Sequence, residues 1–404
     1  MPRSSRSPAE PVALVLAGGG ARGAYEIGAL SVLLGELEED EQPQIVIGTS
    51  VGAINAAYLA AHADQSPKQQ VEGGLDLWRE IGYGRVLKPL LSISEGTRLI
   101  SYLREVLGSR SAHTKSVLDP TPLTATLSEL IAFEQIHANV SAEHLLTAAV
   151  VATSGRTNMS VVFHDGGRSP ADDTRRGISY VEAELTEDHV RASAAIPLLF
   201  PAVAIDEHGE RHWYFDGGTR LNTPIKPALA LGARRVIVIA LNSLTPTREA
   251  KAERQPDALD GATQLIQAVL VDPLINDVHT LATINELLDD DSEAKIREHE
   301  RRTDRRRVPY MLIAPEDPLE IGRVAAEVYR DCYKSPLALV RSPSVSGLGH
   351  LMNAGRSAIH GELLSYLLFA EEFTDRLIEL GRRDARRWLH DSHSHGRWQL
   401  GRLP

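Results

Sequence analysis

The chain has 404 residues, of which 43% are hydrophobic and 24% charged, and this composition excludes a disordered, collagen-like or disulfide-rich protein. Lysine and arginine number 43 against 54 aspartates and glutamates, and the resulting net charge of −11 argues against binding to nucleic acid. The single cysteine, Cys332, excludes an intrachain disulfide and a multi-cysteine metal site, and we expect its side chain to be buried. The length suits two or three domains, or one large α/β domain with an appendage.

The sequence gives no clear targeting segment. No run approaches the ~20 apolar residues that span a bilayer. The apolar stretch at residues 12–17 is too short for the core of a signal peptide and runs directly into glycines. We therefore expect residues 1–10 to form a disordered leader and the protein to be cytoplasmic, with export by a route without an N-terminal signal left open.

Two strand–glycine–helix units open the chain. Residues 12–16 form a continuous apolar run that predicts a buried parallel strand, followed by glycines at 18–20 and a helix over residues 25–37. Residues 45–47 predict a second buried strand, again followed by glycine and then by an alanine-rich helix over residues 53–63. This alternation is typical of βαβ units and a parallel sheet.

The pattern continues towards the C-terminus. We predict strands over residues 145–152, 161–163, 213–215, 235–241 and 309–314, and helices over residues 190–195, 227–231 and 362–383. The stretch from about 246 to 307 is polar and helical in pattern, with opposed acidic and basic runs that indicate a solvated face. We divide the chain into an α/β core (11–245), a helical insert with a last strand that packs on the core (246–340), and C-terminal helices with a polar tail (341–404).

The first candidate motif is Gly18-Gly19-Gly20-Ala21-Arg22-Gly23, between a predicted strand and a helix. It fits the dinucleotide fingerprint G-x-G-x-x-G, but that site also needs an acidic residue at the end of the next strand. Here the next strand ends in Gly48-Thr49-Ser50, and the Gly-Lys-Ser/Thr of a P-loop is also missing. The glycines therefore predict backbone N–H groups at a helix N-terminus, which attract negative charge.

The second candidate is Gly48-Thr49-Ser50-Val51-Gly52, which reads G-x-S-x-G. At ~7% usage of each fixed residue, the pattern occurs by chance in roughly one chain in seven of this length, so its context has to decide. It follows a buried strand and precedes a helix, as a nucleophile elbow requires. Ser50 would then be the nucleophile, and the Val51 N–H would stabilise an oxyanion. The alternative is a tight turn in which Ser50 only caps the helix.

A serine nucleophile needs a base. The histidines after Ser50 do not lie in strand-end loops, and those at 390, 393 and 395 indicate a disordered polar tail; the others considered are His144, His212, His350 and His360. Asp216-Gly217-Gly218, by contrast, ends a predicted strand and would lie at the carboxyl edge of the sheet, where α/β active sites form. Asp165-Gly166-Gly167 repeats the pattern, but polar residues follow it and predict an ordinary turn.

The sequence resembles the patatin-like phospholipase family in the order and spacing of three motifs, at residues 18–23, 48–52 and 216–218. The segments at residues 192–197 and 200–201 resemble the family as well. The resemblance covers residues 10–245 and implies a three-layer α/β/α sandwich with a mostly parallel central sheet. It also implies hydrolysis of lipid acyl esters by a Ser-Asp dyad, without a histidine, metal or cofactor. Its implied roles are Ser50 as nucleophile and Asp216 as general base, with Gly48 and Gly52 shaping the elbow. The implied oxyanion hole comprises Gly18, Gly19, Gly20, Arg22 and Val51.

Two other functions stay open on the sequence alone. One is a histidine-dependent serine esterase or thioesterase of the same layered fold, and the other is a pseudoenzyme that binds lipid without turnover. The expected partner is a phospholipid or another lipid acyl ester, and not a nucleic acid. A basic tail containing Trp388 and Trp398 also suits peripheral contact with an anionic membrane, although a solvated helix end explains the same residues.

Overall fold

A nine-stranded mixed sheet organises the described residues of the computed structural model. These residues are 10–88, 118–197, 199–207, 209–245, 261, 285, 307–335, 338, 342–352 and 358–400. The strand order is β5-β4-β3-β2-β1-β8-β9, with β7 also paired to β3 and β6 paired to β7. The strands are β1 Val12–Leu16, β2 Ile45–Thr49, β3 Thr147–Ser154, β4 Ser160–Gly166, β5 Ile178–Glu182, β6 Val203–Glu207, β7 Glu210–Asp216, β8 Arg235–Ile239 and β9 Tyr310–Ile313.

The centre of the sheet is parallel. β1 lies between β2 and β8, and the pairs β1–β2, β1–β8, β2–β3 and β8–β9 all run parallel. β1 is a continuous apolar run, and β8 is one after its first residue, as expected of strands that are buried on both faces. Among the described strands, β4 and β7 run antiparallel to β3, and β6 runs antiparallel to β7. The mostly parallel sheet expected from the sequence is therefore present.

Helices cover the sheet, and a π-helical turn, Tyr329–Tyr333, directly follows the helix Glu320–Val328. The described helices are α1 Gly23–Leu33, α2 Val51–Ala61, α3 Pro67–Glu80, α4 Tyr83–Val86, α5 Thr121–Leu130, α6 Phe133–Ser141, α7 Glu187–Ser193, α8 Ile225–Ala230, α9 Glu320–Val328, α10 Pro343–Leu351, α11 Ala358–Ser365 and α12 Glu371–His395.

Alternate side chains of the central strands supply two separate cores. Val12, Leu14 and Leu16 of β1 belong to the larger cluster, with residues of α1, α2, α3 and α12. Ala13 and Val15 belong to the smaller cluster on the opposite face, with residues of α8. Because side chains of a strand point alternately to its two faces, this division shows three layers. The α/β/α sandwich predicted from the family resemblance is confirmed.

The C-terminal helices differ from the prediction. Residues 362–383 were expected to form one helix, but α11 ends at Ser365 and α12 begins at Glu371. In the break, the carbonyl oxygen of Tyr366 accepts a hydrogen bond from the Ala21 N–H, far away in sequence. α12 then continues to His395, so the prediction of a disordered tail at residues 390–395 was wrong.

Other expectations fail where the local pattern is weak. β5 and β6 were missed because their residues are mostly half-buried or exposed, so neither forms an apolar run. Cys332, expected to be buried, is exposed, because the π-helical turn buries Tyr329 and Tyr333 instead. The expected leader, residues 1–10, lies outside the described residues except for Glu10. The polar helical stretch predicted within 246–307 also lies outside them, except for residues 261, 285 and 307. Within the described part of the chain, no helix combines the length and hydrophobicity that crossing a bilayer requires.

Candidate active site

Two strands end next to each other on one edge of β3. The last pair of β2 joins Thr49 to Val151, whereas the last pair of the antiparallel β7 joins Asp216 to Ala152. β4 covers the other edge of β3, so β2 and β7 share the remaining edge. Since Val151 and Ala152 are consecutive, the two strand ends lie about one residue apart, or ~3.3 Å. The sheet therefore places the residue after Thr49 beside Asp216.

That residue, Ser50, occupies a sharp turn between β2 and α2. Its φ of 55° and ψ of −121° lie in a region that disfavours side chains, which indicates local strain. The turn also depends on two close backbone approaches. A Cβ on Gly48 would lie 2.0 Å from the carbonyl oxygen of Gly52, and one on Gly52 would lie 2.4 Å from that of Leu16. The two glycines of the pentapeptide are thus required by the geometry of the turn.

The side chains of Ser50 and Asp216 contact each other directly. Ser50 Oγ donates a hydrogen bond of 2.6 Å to Oδ2 of Asp216, and Oδ1 accepts one of 2.7 Å from the Gly218 N–H. Burial raises the pKa of Asp216 to about 7, although the hydrogen bonds from Ser50 and Gly218 act to lower it. A carboxylate with a pKa near neutrality is a stronger base than a solvated one, so this pair is suited to proton transfer from the hydroxyl.

Ser193, at the end of α7, connects the turn to β3 through hydrogen bonds. Its Oγ accepts a hydrogen bond of 2.9 Å from the Ser50 N–H and donates one of 2.6 Å to the carbonyl oxygen of Val151. Two residues later, the Ala195 carbonyl oxygen accepts a hydrogen bond of 2.8 Å from the Asp216 N–H. The sequence singled out residues 192–197 only through the family resemblance, and it gave Ser193 no role.

The glycine-rich loop after β1 lies against Ser50. A Cβ on Gly18 would lie 3.1 Å from Ser50 Cβ, so the loop passes directly beside the serine. The Gly18 N–H donates to the Asn222 carbonyl oxygen at 3.2 Å, and the Ala21 N–H donates to that of Tyr366 at 3.0 Å. The loop is therefore pinned on both sides of Gly19 and Gly20.

The Val51 N–H belongs to the first turn of α2. Amides in the first turn of a helix have no acceptor within the helix, and the helix dipole favours negative charge there. Val51 therefore presents a backbone donor immediately after the serine, and its part in an oxyanion hole stays a prediction.

Arg22, predicted as part of the oxyanion hole, has a buried guanidinium with its own partners. Nε donates to Ser365 Oγ at 2.8 Å, Nη1 to Asn242 Oδ1 at 3.0 Å and Nη2 to Glu362 Oε2 at 2.5 Å. Burial lowers the pKa of Arg22, but the charge of Glu362 and the neighbouring Tyr366 raise it to a net value above its ordinary one. Each nitrogen of the guanidinium thus already has an acceptor within the protein.

Two of the described histidines have hydrogen-bond partners outside the Ser50–Asp216 pair. In the described part of the chain, the hydrogen bonds of the Ser50 hydroxyl and the Asp216 carboxylate join them to each other and to the Gly218 amide, and none reaches a histidine. His164 Nδ1 lies 3.0 Å from a backbone carbonyl oxygen, and His350 Nδ1 lies 2.9 Å from a tyrosine hydroxyl. Across the same described residues, no three metal-binding side chains cluster closely enough to hold an ion.

The second Asp-Gly-Gly motif lies at the other end of the sheet. Asp165 pairs with Ala148 near the start of β3, whereas Asp216 pairs with Ala152 near its end. The Asp165 carboxylate oxygens lie 3.1 and 3.2 Å from His137 Nδ1, and this contact raises the pKa of His137. The structure thus separates Asp165 from Ser50.

The basic C-terminal tail contacts acidic side chains of the same chain. Arg383 Nη1 lies 2.7 Å from Glu320, and Arg397 Nη1 lies 3.2 Å from Glu41. Trp398 Nε1 also donates to Glu41, at 2.8 Å. Part of the positive charge is therefore neutralised within the protein, and membrane contact by this tail stays a prediction.

Among solved structures, VipD from Legionella pneumophila is 14% identical to this chain, and the alignment covers 96% of this chain and 76% of VipD with a TM-score of 0.31. Human GIVD cytosolic phospholipase A2 is also 14% identical, over 96% of this chain and 59% of the human chain, with a TM-score of 0.43. Its complex with methyl gamma-linolenyl fluorophosphonate aligns at 13% identity over 95% and 58% of the two chains, with a TM-score of 0.40. This chain thus matches less than two thirds of the human enzyme's length.

Sequence comparison gives the clearer assignment. No curated protein sequence matches the chain at a significant level. The model of the family described as patatin-like phospholipase, however, matches residues 14–229, which is more than half of the chain and includes both Ser50 and Asp216. Because the TM-scores of the structural matches lie below 0.5, the assignment rests on this match: the chain belongs to the patatin-like phospholipase family.

Proposed function

We propose that this protein is a serine lipid acyl hydrolase that cleaves acyl esters of phospholipids or lysophospholipids through a Ser50–Asp216 dyad. The observation that carries the proposal is the 2.6 Å hydrogen bond between the two buried side chains at a strained strand-to-helix turn. Membership of the patatin-like phospholipase family supports a lipid acyl ester as the substrate.

In the proposed reaction, Asp216 accepts the Ser50 proton as Oγ attacks the ester carbonyl carbon. The tetrahedral intermediate collapses, its ester C–O bond breaks, and the proton on Asp216 passes to the departing alcohol. Asp216 then removes a proton from a water molecule, whose oxygen attacks the acyl carbon of the acyl-enzyme. As the bond between the acyl carbon and Ser50 Oγ breaks, Asp216 returns that proton to Oγ and the fatty acid is released. The raised pKa of Asp216 supports both of its roles, since it stores the proton near neutral pH and releases it again.

We assign the oxyanion hole to the backbone amides of Gly19, Gly20 and Val51. Gly18 N–H already donates to the Asn222 carbonyl oxygen, and the Arg22 guanidinium already has an acceptor for each nitrogen. Backbone donors fixed in place stabilise charge that develops only in the transition state, and they do so without reorganisation during the reaction.

The test compares wild type with Ser50→Ala on a mixed phospholipid extract, with released fatty acids and lysolipids measured by mass spectrometry. We expect release that depends on Ser50, together with covalent labelling of Ser50 by a fluorophosphonate probe. Ser169→Ala, which changes an exposed serine bonded to Glu182, is the matched control and should retain both signals. A folded wild-type protein that is neither labelled nor active would contradict the proposal, and lipid binding by it without turnover would identify a pseudoenzyme.

A further inference from the structure

A buried ion pair joins the glycine-rich loop to the C-terminal part of the chain. Arg22 Nη2 and Glu362 Oε2 lie 2.5 Å apart, with side chains only 1% and 5% exposed. The other carboxylate oxygen of Glu362 accepts a hydrogen bond of 2.8 Å from the Gly322 N–H in α9. Glu362 is therefore fixed at both oxygens, and it holds Arg22 relative to α9 and α11.

The residues after Glu362 continue the contact. Ser365 Oγ accepts the 2.8 Å hydrogen bond from Arg22 Nε and donates one of 2.6 Å to the carbonyl oxygen of Glu362. The Tyr366 ring lies under the guanidinium, whose carbon is 4.0 Å from the ring centroid. A cation held by a carboxylate, a hydroxyl and an aromatic face has little freedom to move.

The same segment also holds the loop backbone. The Tyr366 carbonyl oxygen accepts the Ala21 N–H, which is possible because α11 ends at Ser365. Gly20 adopts a φ of +60°, and a Cβ on it would lie 2.2 Å from that oxygen. The loop and the helix break therefore touch backbone to backbone, next to the amides assigned to the oxyanion hole.

We propose that Glu362, Ser365 and Tyr366 are positioning residues that set the direction of the Gly19 and Gly20 amides by holding Arg22 and Ala21. This inference rests on the proposed hydrolase function. It places a determinant of catalysis well beyond residues 14–229, the part of the chain that the family model matches. Small misplacements of a preorganised group lower the rate strongly while leaving substrate binding largely intact.

The test uses Glu362→Gln, which keeps the shape of the side chain but removes its charge. With a soluble chromogenic acyl ester, we expect kcat to fall by about 10–100-fold and KM to change by less than about 3-fold, as for loss of an interaction made in the transition state. A trifluoromethyl ketone, which forms a tetrahedral oxyanion on Ser50, should bind more weakly by a similar factor. Ser365→Ala removes only one contact of Arg22. It should lower kcat and inhibitor affinity in the same way, but by smaller factors.

The matched control is Glu320→Gln, which removes a carboxylate bonded to Arg383 in the same C-terminal part of the chain but without contact to the loop. It should leave kcat and inhibitor affinity unchanged. Equal losses in Glu320→Gln and Glu362→Gln would indicate general loosening of the C-terminal helices and would overturn the proposal.

Hydrogen–deuterium exchange gives a readout that needs no activity. In folded Glu362→Gln and Ser365→Ala, peptides covering residues 17–24 should exchange faster than in wild type, whereas Glu320→Gln should not change them. Two results would overturn the positioning role. One is unchanged exchange of residues 17–24 in both Glu362→Gln and Ser365→Ala. The other is faster exchange in these variants together with an unchanged kcat, when wild type is active. If wild type shows no Ser50-dependent hydrolysis but exchange still rises, the proposed function fails while the coupling of loop and C-terminal segment stands.

Discussion

The buried carboxyl of Asp216 predicts opposite pH dependences for activity and stability. Its pKa is about 7, against 3.8 for an ordinary aspartate. Only the ionised form acts as a base, so kcat/KM should rise with pH and reach half of its plateau at about pH 7. Asp216→Asn, which keeps the shape but removes the base, should lower hydrolysis by about 10²–10⁴-fold.

The free energy of unfolding changes with pH in the opposite direction to the activity. Below pH 3.8 the folded and the unfolded chain both hold the proton, so burial of Asp216 carries no ionisation penalty. Between pH 3.8 and about 7 the unfolded chain releases the proton while the folded chain keeps it, and the free energy of unfolding falls by about 1.36 kcal/mol per pH unit. The total loss is about 4 kcal/mol at pH 7 and above.

Asparagine does not titrate, so Asp216→Asn should escape this loss. Urea denaturation at pH 4, 6 and 8 should show the variant gaining stability over wild type as pH rises, by up to about 4 kcal/mol, less any hydrogen bond that the amide makes poorly. A stability difference that does not change between pH 4 and 8, or a kcat/KM midpoint near pH 4, would refute the reasoning.

Four further sets of substitutions test the geometry of the turn and the identity of the base. Ser50→Ala should abolish hydrolysis with little loss of stability, and Ser50→Gly, which also relieves the positive φ, should be more stable than Ser50→Ala by about 1 kcal/mol in urea denaturation; equal stabilities would argue against strain. Gly48→Ala should cost more than about 3 kcal/mol or prevent folding, because its Cβ meets backbone at 2.0 Å, whereas Gly35→Ala has open space and should stay within about 0.5 kcal/mol in thermal melts. Asp165→Asn should change hydrolysis by less than a few-fold, and a loss as large as that of Asp216→Asn would contradict the assignment of the base. Single replacements of histidines by glutamine should leave measurable ester turnover, and a folded but inactive variant would favour a histidine-dependent esterase; the positions are His144, His164, His212, His350 and His360.

Local sequence patterns predicted the centre of the fold because buried parallel strands need continuous apolar residues. β1, β2 and β8 are such runs, and each was predicted from its residues alone. β5 and β6 could not be predicted in this way, since their residues are only partly buried. The pairing of β7 with the end of β3 was equally hidden, because register depends on contacts between distant segments.

In the candidate site as well, local motifs could be predicted from the sequence, whereas contacts between distant residues could not. Ser50 lies in a pentapeptide whose two glycines have a strict geometric reason, and Asp216 ends a predicted strand before two glycines, so the sequence pointed to both. The sequence also singled out Arg22, but its partners Glu362 and Ser365 are 340 and 343 positions away, and no local pattern marks them. Ser193 is another such case, because a buried serine that bonds to two backbone groups looks the same in sequence as any other helical serine.

The position of β1 in the sheet has a consequence for how the protein is made. β1 precedes the other described strands in the chain, yet it lies inside the sheet, and its partner β8 begins roughly 220 residues later. At roughly 5–20 residues per second, one edge of β1 waits about 10–40 s on the ribosome before β8 exists. An apolar strand with an open edge is a template for pairing with other chains. Over that interval the open edge favours aggregation of the nascent protein, and slower synthesis lengthens the exposure.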